Sequence, residues 1–316
     1  MFSIEKFQQN QELFIVVVLI FGILIFATSL FFIWGKIKPE TNLQELKNRT
    51  KSWWVMATIF VSATLFNPAI SYVAFGFLSF FALRELISIS KNVRESDRRI
   101  LIWCYLAVPV QYLLAYKGYN TAFLVFIPVF MFLWIPFMLV INGDTRDISL
   151  SMSVLPTQLM FCVFGISHLA RLLSLPEIEG FHAGGRGLLL FLVFITEMND
   201  VLQFTWGKLF GKYKIIPKIS PNKTWEGFVG GIISTSIVGY FLHFLTPLSG
   251  YMAMGVSLIV AITGFVGDVV VSAVKRDIGI KDTGDTIPGH GGILDRVDSL
   301  ATTAPIFFYL IYFLAY

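Results

Sequence analysis

Apolar stretches of about 20 residues recur along this chain, and no other property limits its possible folds as strongly. The first, Leu13 to Trp34, runs for 22 residues. With 56% hydrophobic and 14% charged residues over 316 positions, a soluble domain is excluded. Reading with the length that crosses a bilayer as a helix gives segments at 13–34, 53–66, 68–86, 100–116, 121–142, 152–173, 186–206, 226–246, 252–274 and 299–315. The expected fold is therefore all-α, a polytopic integral membrane protein with about nine or ten transmembrane helices. The second segment is short, and only Asn67-Pro68 separates it from the third. That pair is compatible with a full span, a re-entrant hairpin or one broken span. The first run has no small-residue cleavage site, so it is expected to be a retained anchor.

The cations give the spans a direction. Loops 35–52, 84–99 and 207–225 carry five Lys or Arg each, segment 275–296 carries four, and the 143–151 turn carries Arg146. Counting alternate loops through ten spans puts these twenty on one side and only Lys6, Lys117, Arg171 and Arg186 on the other. The positive-inside rule makes the richer side cytoplasmic. A net charge of +4, distributed over loops between spans, argues for membrane orientation and phosphate contact and against nucleic acid. Cys104 and Cys162 both lie in apolar runs without CxxC spacing, which points to packing and not to a disulfide or zinc site.

Residues 1–150 read as a membrane-packing half without clustered carboxylates. Residues 151–316 form the chemical half of the same membrane domain. Its most unusual block is Ser272 to Asp298, with four cations, five aspartates and a Gly-rich segment in an otherwise apolar chain. Asp268, Ser272, Lys275 and Arg276 fall at i, i+4, i+7 and i+8, on one helical face. Lys275 or Arg276 alone could be a snorkelling anchor, but an ionised Asp268 in lipid needs a partner. Asp295 and Asp298, at i and i+3, could share an ion or could simply complement a helix N-terminus. Gly291 and Gly292 would let backbone N–H groups approach an anion, with His290 beside them. Upstream, Ser220-Pro221-Asn222-Lys223-Thr224-Trp225-Glu226-Gly227 compresses donors, a turn and an aromatic ahead of a span. Glu197, Asn199, Asp200 and Gln203 interrupt the seventh segment, as substrate contacts or as an interhelical hydrogen-bond network. His168, Arg171 and His182 read as surface or interface residues without chemistry. No GxSxG, HExxH, Walker A or HxxxxD pattern is present, so nucleophilic Ser or Cys catalysis has no support.

The run S-A-V-K-R-x4-K-D-x-G-x2-I-P-x-H-G-G-I-x-D-R-V-D, Ser272 to Asp298, resembles the signature of CDP-diacylglycerol synthases, the phosphatidate cytidylyltransferases. Asn199-Asp200, Trp206 to Gly211 and Ile219 to Gly227 are similar to the same family, so the resemblance covers about a third of the chain. The chain departs from the family's habit at Asn222, where Lys is common, and over Asp200 to Phe204, where an acidic-small-small-Ala-Tyr stretch is usual.

The resemblance implies that CTP and phosphatidate give CDP-diacylglycerol and pyrophosphate beside the lipid bilayer. It assigns Asp268 and Asp295 as principal ligands of Mg2+, with Asp298 as a further ligand and a second metal ion unidentified. Lys275, Arg276, Lys281 and Arg296 would hold phosphates, with Asp282 and His290 placed beside them in the catalytic set. Asn199, Asp200, Ser220, Asn222, Lys223, Trp225, Glu226, Gly291 and Gly292 would contact nucleotide or headgroup. A bacterial plasma membrane with the active site facing the cytoplasm is expected; the oligomeric state stays open, a homodimer being compatible with the sequence. The competing readings are a cytidylyltransferase for an ether or isoprenoid lipid phosphate, and an ion-coupled transporter using Asp200 and Asp268.

Overall fold

The computed structural model describes residues 11–37, 44–65, 67–90, 98–287 and 291–316, apart from the side chains of residues 35, 44–46 and 49. All ten apolar segments are helical. They are α1 (Gln11–Ile37), α2 (Gln44–Leu65), α3 (Pro68–Ile89), α4 (Leu101–Lys117), α5 (Asn120–Ile141), α6 (Ile148–Leu172), α7 (Gly184–Phe210), α8 (Trp225–Phe241), α9 (Gly250–Ile278) and α10 (Leu294–Ala315). Among the described residues, α1, α3, α5, α6, α7, α9 and α10 are long and apolar enough to cross a membrane. The second segment is longer than its apolar run suggests, because helix-favouring Gln44, Glu45, Leu46 and Lys47 extend α2 to 22 residues. Asn67 separates it from α3: its side chain accepts from the Ala69 amide at 2.9 Å, and Pro68 occupies the first helical turn.

The all-α expectation holds apart from one small hairpin, β1 (Lys214–Ile216) antiparallel to β2 (Ser220–Thr224). Thr224 ends the hairpin and starts α8 at once: its Oγ1 accepts from the Gly227 amide at 3.2 Å. The hairpin therefore stands directly over the helix that follows it.

The helices α7, α8, α9 and α10 pack against one another in sequence, and α10 also lies against α6 and α3. In lipid such contacts depend on close backbone approach at small residues. Gly267 of α9 shows how close. A Cβ there would stand 2.3 Å from Thr302 Oγ1 and 2.8 Å from the Asp298 carbonyl of α10. The contact brings Asp268, the next residue, up to the start of α10. We expect Gly267→Ala to force these helices apart, lowering the thermal midpoint in detergent by an amount equivalent to about 1–3 kcal/mol. An unchanged midpoint would mean that α9 and α10 are not so tightly joined. The outer faces of α1, α4 and α5 expose large apolar side chains such as Phe26 (68%), Ile102 (58%) and Leu133 (66%), which suits a hydrocarbon solvent.

Two residues read as surface or interface positions are buried between helices. His168 has no exposure and sits among the rings of Phe123, Phe164, Phe308 and Tyr309, with its Nδ1–H directed to the Phe164 carbonyl at 2.7 Å. Arg171 is 4% exposed, donates to Asn120 and Ser174, and lies 5.8 Å over Phe308. Packing of α10 across the end of α6 encloses both, which their place near the end of an apolar run did not reveal.

Candidate active site

A cleft of about 310 Å³ opens where α7, α9, α10 and the hairpin converge. Asp268 lies ten residues before the end of α9, roughly 15 Å along the helix at 1.5 Å per residue. The floor of the cleft is thus acidic and set back from the helix ends. Both oxygens of Asp268 are engaged: Ser272 Oγ donates to Oδ1 at 3.1 Å, and Lys223 Nζ meets Oδ2 at 2.6 Å. Lys223 comes from β2 and also lies 4.5 Å over the Phe265 ring. In β2 it stands between the exposed Asn222 and the buried Thr224 that caps α8.

A second ion pair forms the wall. Lys275 Nζ meets Asp295 Oδ1 at 2.6 Å, and both residues are under 10% exposed. Asp295 Oδ2 accepts from the Thr283 amide at 2.7 Å, Thr283 Oγ1 at 2.9 Å and the Gly292 amide at 3.0 Å. Four donors on one carboxylate make a fixed, charge-assisted network. At Gly292 this network leaves no space, because a Cβ would fall 2.3 Å from Thr283 Oγ1 and 2.5 Å from Glu85 Oε2. Asp200 Oδ2 accepts from Ser299 Oγ at 3.4 Å, and Asp298 Oδ1 from the Ser299 amide at 2.7 Å. Arg296 also lines the cleft, and its Nε is buried without a hydrogen-bond partner among the described residues.

Of the residues singled out in the sequence, Asp200, Ser220, Asn222, Lys223, Asp268, Lys275, Asp282, Asp295, Arg296 and Asp298 line this one cleft. Others have different work. Arg276 donates to the Ile219 and Ile280 carbonyls at 3.1 and 2.8 Å, joining the hairpin turn to the end of α9. Asn199 is fully buried, donating to the Ala261 carbonyl and accepting from Gln203 and Thr235, so it ties α7 to α8 and α9. Glu226 accepts from the Lys212 and Tyr213 amides and clips the chain before β1. Trp225 faces an apolar groove with Trp206 and Phe210, on the other side of α8. Lys281 is exposed, Gly291 takes a left-handed φ of 78° beside Asp295, and His290 lies outside the described residues.

Gln203, read as either a substrate contact or a network residue, also lines the cleft; the sequence reading overlooked Phe204, Phe228 and Phe265 as lining residues, and it overlooked Glu85 of α3 entirely. The Glu85 carboxylate receives the Ile293 and Leu294 amides at 3.0 and 2.8 Å. A charged pair, Arg84-Glu85, inside an apolar segment was the signal available.

By formal charge the lining holds five aspartates against Lys223, Lys275 and Arg296. Asp298 Oδ2 and Asp200 Oδ1 have no hydrogen-bond donor among the described residues. Unspent carboxylate oxygens and a net charge of −2 suit a hard divalent cation such as Mg2+. No three of His, Cys, Asp and Glu are gathered at ligating distance among the described residues, and Lys223 currently holds Asp268.

Fold and cleft together define a polytopic membrane protein with a charged cavity of about 310 Å³ between its helices. The chain belongs to the cytidylyltransferase family, whose model matches residues 47–314. It is 40% identical over 302 residues to the uncharacterized protein YnbB of Escherichia coli (strain K12), covering 94% of this chain and 97% of that one. It is 42% identical over 132 residues to the phosphatidate cytidylyltransferase of Staphylococcus aureus, and 41% over 126 residues to that of Mycobacterium leprae. These matches cover 40% and 39% of this chain, and 48% and 39% of those two proteins, so the chain spans half or less of each.

Proposed function

We propose that this protein transfers CMP from CTP to the phosphate of phosphatidate, giving CDP-diacylglycerol and pyrophosphate at the cytoplasmic face of a bacterial plasma membrane. The observation that carries this reading is the gathering of Lys223, Lys275 and Arg296 with Asp200, Asp268 and Asp298 around one cleft in a member of the cytidylyltransferase family. The name shared by the Staphylococcus aureus and Mycobacterium leprae relatives supports the choice of phosphatidate. The five lysines of loop 207–225, on the same side of the chain as the cleft, support the cytoplasmic orientation.

In this reaction a phosphate oxygen of the lipid attacks the α-phosphorus of CTP, the bond to the bridging oxygen breaks, and its electron pair leaves with pyrophosphate. The nucleophile is already anionic at neutral pH, so no general base is required. The work left to the protein is to bring two polyanions together and to stabilise charge on the leaving group. Lys223, Lys275 and Arg296 supply cations from β2, α9 and α10, and the buried Nε of Arg296 is a donor still to be satisfied. Asp268, Asp298 and Asp200 would hold the divalent ion. Asp295 serves better as the anchor of Lys275, since its four donors leave it little capacity for a metal. A bound Mg2+ would neutralise the triphosphate and favour departure of pyrophosphate.

The test is pyrophosphate release by the purified protein in lipid micelles containing CTP and a panel of lipid phosphates. Phosphatidate should give the highest kcat/KM. Preference for an ether or isoprenoid phosphate would overturn the substrate, and solute flux in proteoliposomes without nucleotide turnover would overturn the reaction.

A further inference from the structure

We propose that Glu85, on α3 of the N-terminal half, is a positioning residue for the cleft, acting through Thr283, Gly292 and the start of α10 on Asp295 and Lys275. Its two oxygens accept from three groups of that region, some 200 residues away. Oε1 receives Thr286 Oγ1 at 2.9 Å and the Ile293 amide at 3.0 Å. Oε2 receives the Leu294 amide at 2.8 Å and lies 3.4 Å from Thr283 Oγ1, whose proton goes to the nearer Asp295.

Two of these donors are backbone amides at the start of α10, the groups that every helix leaves without an internal partner. A side chain just ahead of a helix ordinarily serves the amides of its second or third residue, so these two need an acceptor from elsewhere. At α10 the residue in that place is Ile293, which has no such side chain. Glu85 is therefore the cap, supplied from another helix, and its negative charge also suits the positive end of the α10 dipole.

The same contacts lead into the cleft. Thr283, whose hydroxyl lies 3.4 Å from Glu85 Oε2, donates its amide and its one hydroxyl proton to Asp295 Oδ2 at 2.7 and 2.9 Å. Gly292, packed so that any side chain would strike Glu85, donates its amide to the same oxygen. The other oxygen of Asp295 holds Lys275 at 2.6 Å. Releasing Glu85 loosens Thr283 and Gly292, then the carboxylate they orient, then the ammonium group that faces the cleft. Glu85 touches no substrate; it fixes the aim of Lys275.

The kinetic arm of the test rests on the cytidylyltransferase reading above, and the exchange arm does not. Glu85→Gln is expected to lower kcat for CMP transfer on the order of a hundredfold, with a smaller change in KM for CTP, as for a misplaced reacting group. In the double variant with Asp295→Asn it should be no slower than Asp295→Asn alone, because both act through one network. Hydrogen–deuterium exchange should show loss of protection at the Ile293 and Leu294 amides. Glu85→Asp, one methylene shorter, should give an intermediate loss and serves if the Gln variant does not accumulate in membranes. Wild-type protection of those amides in both variants, or losses that multiply with Asp295→Asn, would overturn the proposal. If wild-type protein releases no pyrophosphate with any lipid phosphate, the assigned reaction fails, and amide exchange alone decides the role of Glu85.

Discussion

Asp268→Asn should abolish CTP-dependent pyrophosphate release, lowering it on the order of a thousandfold or more, while the protein still inserts and accumulates in the membrane. The carboxylate stands at the floor of the cleft, where Ser272 and Lys223 both point at it. An amide of the same size keeps the packing and can still accept from Ser272. It loses the charge that holds Lys223, and it offers a hard cation a far poorer ligand. The lining would rise from −2 to −1 in formal charge, so a drop in activity cannot come from greater repulsion of the substrates. Near-normal Mg-dependent turnover would remove Asp268 from the chemistry and leave it as a tether for the hairpin. Measuring insertion by membrane fractionation alongside pyrophosphate release separates these outcomes.

Lys275→Met is expected to damage both stability and turnover, by separable routes. The Lys275–Asp295 pair is buried on both sides, with side-chain exposures of 10% and 3%. Removing one partner of such a pair leaves a charge with no counter-ion and costs about 3–5 kcal/mol, well above the value of an exposed ion pair. Replacing both partners by apolar residues is often neutral or better. We therefore expect a lowered thermal midpoint for Lys275→Met, recovery of much of it in the double variant with Asp295→Leu, and no recovery of CMP transfer. Thr283 and Gly292 would lose their acceptor in that double variant, so recovery should be incomplete. Turnover that returned with stability would show the pair to be structural only.

The spans were readable because hydrocarbon imposes one length on every helix that crosses it. The cleft was readable for a related reason: Asp200, Asp268, Asp295 and Asp298 stand out against apolar neighbours in a way that aspartates on a soluble surface never do. Spacing could not say what each polar group contacts. Asp268 and Arg276 share a helical face on paper, yet one meets Lys223 and the other reaches two carbonyls outside the cleft. Asn199 and Asp200 are adjacent, and only the second lines the cavity. Glu85 was the largest omission. Two of its partners are backbone amides in a segment 200 residues later, and no side-chain pattern records an amide. His168 and Arg171 stayed undecided between surface and interface because distance from the end of an apolar run says nothing about which helix lies across it.

Arg276 shows what kind of constraint the corner of the cleft obeys. Its guanidinium bridges the turn between the two strands and the residue just past Gly279, so hairpin and helix end are pinned to each other at that corner. Such a joint needs donors that diverge from one rigid plane, which a guanidinium has and an ammonium lacks. In the sequence, Lys275 and Arg276 are neighbouring positive charges that look interchangeable. In the fold the first is held for its charge and the second for its shape.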